Sequence, residues 1–348
     1  MAPSKFKAAL CASIVFVTAA RYAWLHVENL YYHHGRIFTA LPALPQPERA
    51  AVPGVASSQE PLPAPAATSQ APAAAVGPQP FHSIARAVSS VPDPVFVAFG
   101  NTGYRHIMAS FLCNMQLFPG MHAHLLLLLT DDDTATFLRA FGQRVAMFVA
   151  RQHLQESYDY DSAGYLQLML ARGALLVQVL HEADKQGKTV VWLEPDFRYT
   201  QNLVARAEMT HATSDVVLLL HHFSYCGCFI RFSPAPASRD FYNTVMHRMR
   251  NVLVLARGGS TNHQILLNEL AAVQRVNFTV LDRCLYRSGT FYTHAYKREY
   301  QLACQGVLPV AQHYNWIVGA RAKVQMAKEH GGWYLSDDEA SCRSGDGP

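Results

Sequence analysis

Short, continuous apolar runs recur along this chain, separated by segments with helical periodicity. The runs predicted to be buried strands are Val95–Phe99, Ala123–Leu129, Val145–Val149, Thr189–Leu193, Asp215–Leu220 and Gly227–Phe232. Strands that are apolar on both faces need helices on both sides of their sheet, and such sheets are mostly parallel. The sequence therefore predicts an α/β domain with a mostly parallel, mixed sheet flanked by helices.

The segments between these runs follow the apolar period of amphipathic helices. The predicted helices are Tyr104–Gln116, Thr134–Phe141, Gly164–Gln186, Ser238–Arg250 and His263–Ala272. The third of these is the longest, and it leads directly into the strand Thr189–Leu193.

Two carboxylates follow that strand, separated by one proline. Residues i and i+2 of an extended chain point to the same side, so Glu194 and Asp196 can face one point. Pro195 has no N–H and favours an extended backbone at Glu194. Carboxylates at the carboxyl end of a parallel strand suit a hard divalent cation that also holds phosphates. The alternative is that the two acids only form the polar end of a strand.

Polar residues also follow the first two predicted strands. Asn101 and Tyr104 lie in the turn FGNTGY, which could meet a nucleotide, and Asp131 opens the acidic run at the end of the second strand. The alternatives are a plain turn at Asn101 and a helix cap at Asp131, where acids favour a helix N-terminus regardless of function.

A second group of candidates lies near the C-terminus, in Gln312–Trp333. His313 offers a borderline ligand for Mn²⁺, and Lys323, placed after a glycine turn, offers a point charge for a diphosphate. The alternative is a cationic amphipathic helix that ends at Gly331-Gly332.

Composition and motifs exclude several classes. The net charge of +4 is weak and scattered, without a run of basic residues, so we expect no nucleic acid partner. The sequence lacks GxGxxG, GxxxxGK[ST], GxSxG and HExxH, which argues against dinucleotide, P-loop, serine hydrolase and zincin chemistry. Six cysteines beyond the N-terminal apolar segment allow up to three disulfides in an oxidising compartment. Cys226 and Cys228 are too close in sequence for us to expect a bond between them.

The N-terminal quarter of the chain is predicted to place the folded domain outside the cytoplasm. Residues 1–7 form a basic cytoplasmic tail, and residues 8–25 form an apolar signal anchor that crosses the membrane. The alternative is a signal peptide cleaved after Thr18-Ala19-Ala20. Residues 26–92 form a Pro/Ala-rich stem, residues 93–341 the folded domain, and residues 342–348 a tail. Asn277 begins a predicted glycosylation sequon.

Taken in order, five segments resemble the nucleotide-diphospho-sugar transferase family, GT-A glycosyltransferases of plants, algae and related eukaryotes. The segments are the turn AFGNTGY, the long helix leading to WLEPDF, CGCFIRFSP, STNHQILLNEL and HYNWIVGARAK. The resemblance runs from about residue 95 to residue 333. It implies that residues 93–341 adopt the GT-A fold, a Rossmann-like α/β architecture.

The resemblance also implies roles for the acids after the strand. The D-x-D element of the family corresponds to Glu194 and Asp196, so the first acid is longer by one methylene. Asp196 and His313 would bind Mn²⁺ or Mg²⁺, and Glu194 and Lys323 would contact the nucleotide diphosphate. Further predicted contacts to the nucleotide or diphosphate are Asn101, Tyr104, Asp131 and Arg172.

A D-D-Q-x-x-x-N-like element of the family appears here as Asn262-His263-Gln264 and Asn268, with both acids replaced. His263 and Gln264 are the predicted catalytic residues, with His263 the candidate base. Asn268 is predicted to lie on the acceptor or sugar side of the pocket.

The implied activity is metal-dependent transfer of a sugar from a nucleotide-diphosphate sugar to a glycan or glycoprotein hydroxyl. The implied location is the Golgi membrane, as a single-pass type II protein with a lumenal domain, or the exterior after signal-peptide cleavage. Two alternatives are a catalytically inactive GT-A binding module, suggested by Asn262 and His263, and an anchored lumenal adaptor without a sugar-nucleotide site.

Overall fold

The structure, a computed structural model, describes residues 80–142, 145–152, 154, 158, 162–210, 213–221, 224–255, 263–272, 276–293, 297–315, 317 and 319–343. The predicted cytoplasmic tail, the predicted membrane anchor, stem residues 26–79, Asn262 and residues 344–348 lie outside the described residues.

The described strands form two sheets. In chain order they are β1 Val95–Gly100, β2 Leu125–Leu129, β3 Ala146–Val149, β4 Val190–Leu193, β5 Phe197–Tyr199, β6 Val216–Leu220, β7 Tyr225–Phe232, β8 Phe278–Val280, β9 Tyr286–Arg287 and β10 Ala311–His313. The larger sheet has seven strands in the order β3-β2-β1-β4-β7-β6-β8. Its neighbouring strands are parallel except where β7 pairs with β4 and β6. This confirms the predicted mostly parallel, mixed sheet.

Helices cover both faces of the larger sheet. In chain order the described helices are α1 Ile84–Ser90, α2 Arg105–Gln116, α3 Asp132–Leu138, α4 Ala163–Lys185, α5 Ala207–Thr210, α6 Pro236–Leu255, α7 His263–Ala271, α8 Thr290–Thr293, α9 Lys297–Ala303 and α10 Ala320–Glu329. Side chains of β1 alternate between two cores, because successive residues of a strand point to opposite faces. Phe96 and Ala98 pack with α2 and α3, while Val95 and Val97 pack with α1, α4, α6 and α7.

The smaller sheet was not predicted. Its order is β5-β10-β9, with β10 antiparallel to β5 and parallel to β9. Its strands have two or three residues each, too few for an alternating pattern to stand out in the sequence. This sheet brings the C-terminal segment against the chain that follows Asp196.

The folded region extends beyond both predicted boundaries. Ile84, Ala87 and Val88 of α1 are buried in the core, so the predicted stem boundary at residue 92 is too late. At the other end, Cys342 forms a disulfide with Cys113 of α2, so the tail does not begin at residue 342.

Three disulfides join the cysteines of the described region: Cys113–Cys342, Cys226–Cys228 and Cys284–Cys304. The expectation that Cys226 and Cys228 would not pair was wrong. The register of β7 against β6 shifts so that Leu218 pairs with Ile230 and Leu219 pairs with Cys226. This bulge brings the two cysteine Cα atoms to 5.1 Å, whereas alternate residues of a regular strand are about 6.6 Å apart.

Among the described helices, α4 is the one that is long and apolar enough to cross a membrane. Leu175, Leu176, Val179 and Leu180 of this helix are buried in the core beside β1 and β4. It therefore has the packing of a core helix.

Candidate active site

The candidate site lies where the chain order of the sheet reverses. β1 and β4 are neighbours at its centre, and the chain runs outward from β1 through β2 to β3 before returning to β4. In open α/β sheets such a reversal opens a crevice at the carboxyl ends of the strands, and ligands bind there. The turn after β1 and the two acids after β4 both lie at this crevice.

Glu194, Asp196 and His313 form a compact cluster. The Nε2 atom of His313 lies 3.0 Å from Oδ1 of Asp196 and 3.4 Å from Oε2 of Glu194. One ligand atom from each residue lies within 4.8 Å of the others. The structure thus brings together the carboxylates and a histidine more than a hundred residues away.

Local backbone structure positions this cluster. In the small sheet His313 pairs with Phe197, and the two rings stack with centroids 4.2 Å apart. The N–H of Tyr314 donates to the carbonyl of Asp196 at 3.1 Å. On the other side, the N–H of Glu194 donates to the carbonyl of Cys228 on β7 at 2.9 Å.

Two cations complete the charge balance of the site. Nζ of Lys323, in the first turn of α10, lies 2.5 Å from Oδ2 of Asp196. Nη1 of Arg172, from the middle of α4, donates to Oε1 of Glu194 at 2.8 Å. The Arg172 guanidinium also packs over the Trp192 ring, 5.1 Å from its centroid. Each carboxylate therefore has its own cationic partner.

These contacts keep both acids ionised, although Asp196 is buried and Glu194 is partly buried. Burial by itself raises the pKa of Asp196, but Lys323 and His313 outweigh it and hold that pKa well below its ordinary value. For Glu194 burial is likewise opposed, by His313 and Arg172, and its pKa falls to about 2. The pKa of Lys323 is raised, because Asp196 outweighs the effect of burial. The pKa of His313 is raised by Asp196 and Glu194 in the same way.

The cluster fits a divalent cation of the Mn²⁺ type. Its donors are two carboxylate oxygens and one imidazole nitrogen, a set that suits Mn²⁺, whereas Mg²⁺ prefers oxygen ligands. Nδ1 of His313 is buried and has no hydrogen-bond partner among the described residues. Only neutral imidazole can ligate a metal, so occupation of the cluster would require His313 to lose the proton on Nε2.

His263 lies behind this cluster and supports Arg172. Its Nε2 is 2.7 Å from Nη2 of Arg172, which can only donate, so the histidine accepts with its lone pair. Burial, followed by the nearby Arg172 charge, lowers the pKa of His263 to about 3. These contacts argue against the predicted role of His263 as catalytic base. A side chain on Gly227 would clash with the same ring, its Cβ lying 2.4 Å from Nε2 of His263.

Gln264 and Asn268 hold α7 to β7. The amide of Asn268 accepts from the N–H of Tyr225 at 2.7 Å and donates to its carbonyl at 2.9 Å. Oε1 of Gln264 lies 3.4 Å from the N–H of Gly227. The predicted catalytic role of Gln264 and the predicted acceptor role of Asn268 remain predictions.

The turn after β1 contributes one residue to the site. Burial raises the pKa of Tyr104, and its phenol interacts electrostatically with Lys323, Asp196, Glu194 and Arg172. Asn101 instead donates to the carbonyl of Leu154 at 2.8 Å.

Asp131 caps a helix, the role given in the sequence analysis as the alternative to contact with a nucleotide. Its carboxylate accepts from the N–H of Thr134 at 2.7 Å and from both the N–H and the hydroxyl of Thr102. It thereby caps α3 and fixes the turn after β1. Contact between Asp131 or Asn101 and a nucleotide remains a prediction.

Sequence reasoning missed two residues beside the cluster. Nδ2 of Asn315, two residues after His313, lies 2.9 Å from Nε2 of His221 at the end of β6. Burial lowers the pKa of His221 to about 3. His221 and His313 also lie near Cys226 and Cys228, but the disulfide leaves no thiolate there to bind a metal. The signal for Asn315 was its spacing from His313, since alternate residues of an extended chain share a side.

Asn277, the predicted glycosylation site, is exposed beside the edge strand β8. Its N–H donates to the carboxylate of Asp215 at 3.2 Å. Glycosylation of Asn277 remains a prediction.

Several known proteins are similar to this chain. Among solved structures, GlyE, a glycosyltransferase of Streptococcus pneumoniae, is 14% identical with a TM-score of 0.43, and the match covers 71% of this chain and 66% of GlyE. Mouse xyloside xylosyltransferase 1 is 11% identical with a TM-score of 0.41, covering 65% and 98% of the two chains. The galactosyltransferase LgtC, solved with donor and acceptor sugar analogues, is 11% identical with a TM-score of 0.43, covering 70% and 98%. No curated protein matches.

The family comparison covers most of the folded region. A sequence model of the nucleotide-diphospho-sugar transferase family matches residues 120–326, which include the carboxylates, His313 and Lys323. The chain therefore belongs to the nucleotide-diphospho-sugar transferase family.

Proposed function

We propose that this protein is a divalent-metal-dependent glycosyltransferase that moves a sugar from a nucleotide-diphosphate donor to a hydroxyl of a glycan or glycoprotein. The observation that carries the proposal is the convergence of Glu194, Asp196 and His313 with Lys323 beside them. A diphosphate leaving group gains negative charge as the glycosidic bond breaks. A site with a cation between the carboxylates and a lysine at its edge suits that charge.

In this proposal Asp196 Oδ1, Glu194 Oε2 and His313 Nε2 would hold Mn²⁺ or Mg²⁺. The ion, when bound, would supply Lewis-acid neutralisation of the diphosphate. The ammonium group of Lys323, which contacts Asp196, would also interact with the phosphate oxygens. The phenol of Tyr104, whose pKa is raised by burial and influenced by Lys323 and Asp196, would donate a hydrogen bond to the nucleotide.

Arg172 would act on Glu194 rather than on the substrate. It is 6% exposed and divides its donors between Glu194 and His263, so it fixes the direction of the Glu194 carboxylate. This contact also explains the position of the family element at which His263 replaces an acid. His263 stands where the family has an acid, and here it orients the arginine that holds the first carboxylate of the site. The replacement thus leaves the carboxylates of the cluster in place, which favours an active enzyme over an inactive binding module.

We place this activity in the secretory pathway, with the domain lumenal behind an N-terminal membrane anchor in the Golgi. Supporting features are the apolar segment at residues 8–25 after Lys5 and Lys7, the three disulfides and the exposed Asn277. In a secretory host, removal of N-glycans should increase the gel mobility of the protein, and the Asn277→Gln variant should show no such change. Equal shifts in both proteins would contradict glycosylation at Asn277.

Metal binding can be tested without knowing the sugar. Titration of the full-length protein with Mn²⁺, followed by electron paramagnetic resonance of the free ion, should reveal one site that tightens when a nucleoside diphosphate is present. Asp196→Asn should abolish that site. Asp240→Asn, the same change at an exposed carboxylate of α6, should leave it unaltered. Equal Mn²⁺ binding by the two variants would overturn the assignment of the metal site.

A further inference from the structure

A cavity of about 350 Å³ opens on the outer face of the small sheet. Its floor contains Gln312 of β10, whose strand partners are Arg198 on β5 and Arg287 on β9. Gln312, Arg198 and Arg287 thus form a row across the small sheet. Because successive side chains of a strand point to opposite faces, this row faces away from the metal cluster, toward which His313 points. The volume falls within the range of about 300–1,000 Å³ that is usual for small-molecule sites.

Among the described residues, neither arginine of the row has an acidic partner. Arg198 donates to the carbonyl of His330 at 2.9 Å and to the hydroxyl of Tyr334 at 3.2 Å. Arg287 donates to the carbonyls of Val307 at 2.6 Å and Cys284 at 3.2 Å. Neither forms an ion pair with a carboxylate of the described region, and none of the described residues that line the cavity is acidic.

These neutral partners orient the guanidinium groups but leave their charge uncompensated. Both arginines are only partly exposed, and burial lowers the pKa of Arg287. A partly desolvated charge is costly unless an opposite charge meets it. Two such charges flanking the amide of Gln312 therefore form a site for an anion.

The rest of the wall offers contacts for a sugar ring. The Phe291 ring lies against Arg287, with the guanidinium carbon 4.7 Å from its centroid. The hydroxyl of Tyr292 is buried and has no hydrogen-bond partner within the described region. The amides of Gln301 and Gln312 can both donate and accept. The partly exposed Tyr292 ring combined with the planar amides matches an apolar face and the hydroxyl groups of a saccharide.

We propose that this cavity binds an acidic saccharide, with its carboxylate between Arg198 and Arg287 and its hydroxyl groups on Tyr292 and the glutamine amides. The saccharide would be part of the acceptor, so the biological role of the site depends on the proposed glycosyltransferase function. The binding itself depends on neither metal nor donor.

The test compares two disaccharides that differ in one group. One ends in glucuronic acid and the other in glucose, and calorimetry measures their binding to the full-length protein without metal or nucleotide. We expect the acidic disaccharide to bind about ten-fold more tightly or better, because each arginine contact to a carboxylate is charge-assisted. Equal affinities for the two disaccharides would overturn the proposal.

A substitution at the centre of the row separates binding from folding. Gln312→Glu places a carboxylate between the arginines, so it should weaken binding of the acidic disaccharide by about ten-fold or more while leaving the unfolding temperature the same or higher. Gln186→Glu makes the same charge change at an exposed position at the end of α4 and should bind as the wild type does. Tight binding by Gln312→Glu would overturn the proposal.

Two further measurements identify the ligand class and separate this site from the metal site. Inorganic sulfate should bind more weakly than the acidic disaccharide, and sulfate binding of equal strength would overturn the saccharide part of the proposal. Asp196→Asn should lose metal binding but retain disaccharide binding. That result would show that the cavity binds the disaccharide independently of the metal site. Loss of both metal binding and disaccharide binding in Asp196→Asn would overturn the claim that the two sites are independent.

Discussion

Arg172 connects Glu194 and His263 in the candidate site, and these contacts define a prediction. Arg172→Ala would leave the partly buried Glu194 without its arginine partner and would remove the donor to His263. Breaking a buried pair from one side costs about 3–5 kcal/mol, so we expect the free energy of unfolding in urea to fall by about that amount. Arg151→Ala, which breaks an exposed pair with Asp132, should cost less than about 1 kcal/mol. Equal losses in the two variants would contradict this account of Arg172.

His263 makes the stability of the folded protein depend on pH. The unfolded chain binds a proton at this residue below about its ordinary pKa of 6.5, whereas the folded protein does so only near pH 3. Between these values the unfolded state holds more protons, so stability falls as the pH falls. The contribution lost at about pH 5 is on the order of 2 kcal/mol.

Urea unfolding at about pH 7.5 and about pH 5 checks this contribution. His263→Gln keeps a side-chain acceptor for Arg172 but cannot titrate in this range, so its stability should fall less than that of the wild type. The same fall in both proteins would show that His263 is protonated equally in the folded and unfolded chain.

At the scale of elements, the cap of α3 also fixes the turn after β1. Asp131→Ala removes the acceptor for the N–H of Thr134 and for Thr102, so we expect a loss of about 1–2 kcal/mol in the free energy of unfolding. Asp133→Ala, an exposed position in the same helical turn, should change it by less than about 1 kcal/mol. Thermal unfolding of the two variants compares them, and a larger loss at Asp133 would contradict the capping role.

Elements with a strong local pattern were the predictable ones. The strands β1, β2 and β4 are continuous apolar runs in the sequence, and the structure has them within two residues of the predicted bounds. The antiparallel direction of β7 was not predicted, because the residue pattern of a buried strand is the same in either direction. The short strands β9 and β10 depend on pairing with distant chain and carry no local signal.

The residues of the candidate site likewise differ in how far the local sequence predicted them. Residue type and strand position were enough to select Glu194 and Asp196. His313 and Lys323 were selected from residue type and family resemblance, and the small sheet and α10 bring them to the carboxylates. The contact between His263 and Arg172 depends on the packing of α7 against α4 and β7, so the sequence suggested a base where the fold has an acceptor for arginine.

At the scale of the whole molecule, one disulfide ties the C-terminal segment to α2. Cys113 and Cys342 are separated by 229 residues. A bond across so long a loop restricts the unfolded chain strongly, so Cys342→Ser should lower the free energy of unfolding by about 2–5 kcal/mol. Thermal unfolding of the oxidised proteins measures the difference. Cys342→Ser with wild-type stability would contradict the bond.

Metal-dependent turnover of a nucleotide sugar tests the central claim most directly. The full-length protein is incubated with a panel of nucleotide-diphosphate sugars and Mn²⁺, and release of the nucleoside diphosphate is measured for the wild type, Asp196→Asn and Asp240→Asn. We predict that one donor is turned over, that a chelator stops the reaction, and that Asp196→Asn slows it on the order of 100-fold or more while Asp240→Asn does not. Undiminished release by Asp196→Asn, or in the presence of chelator, would contradict the account.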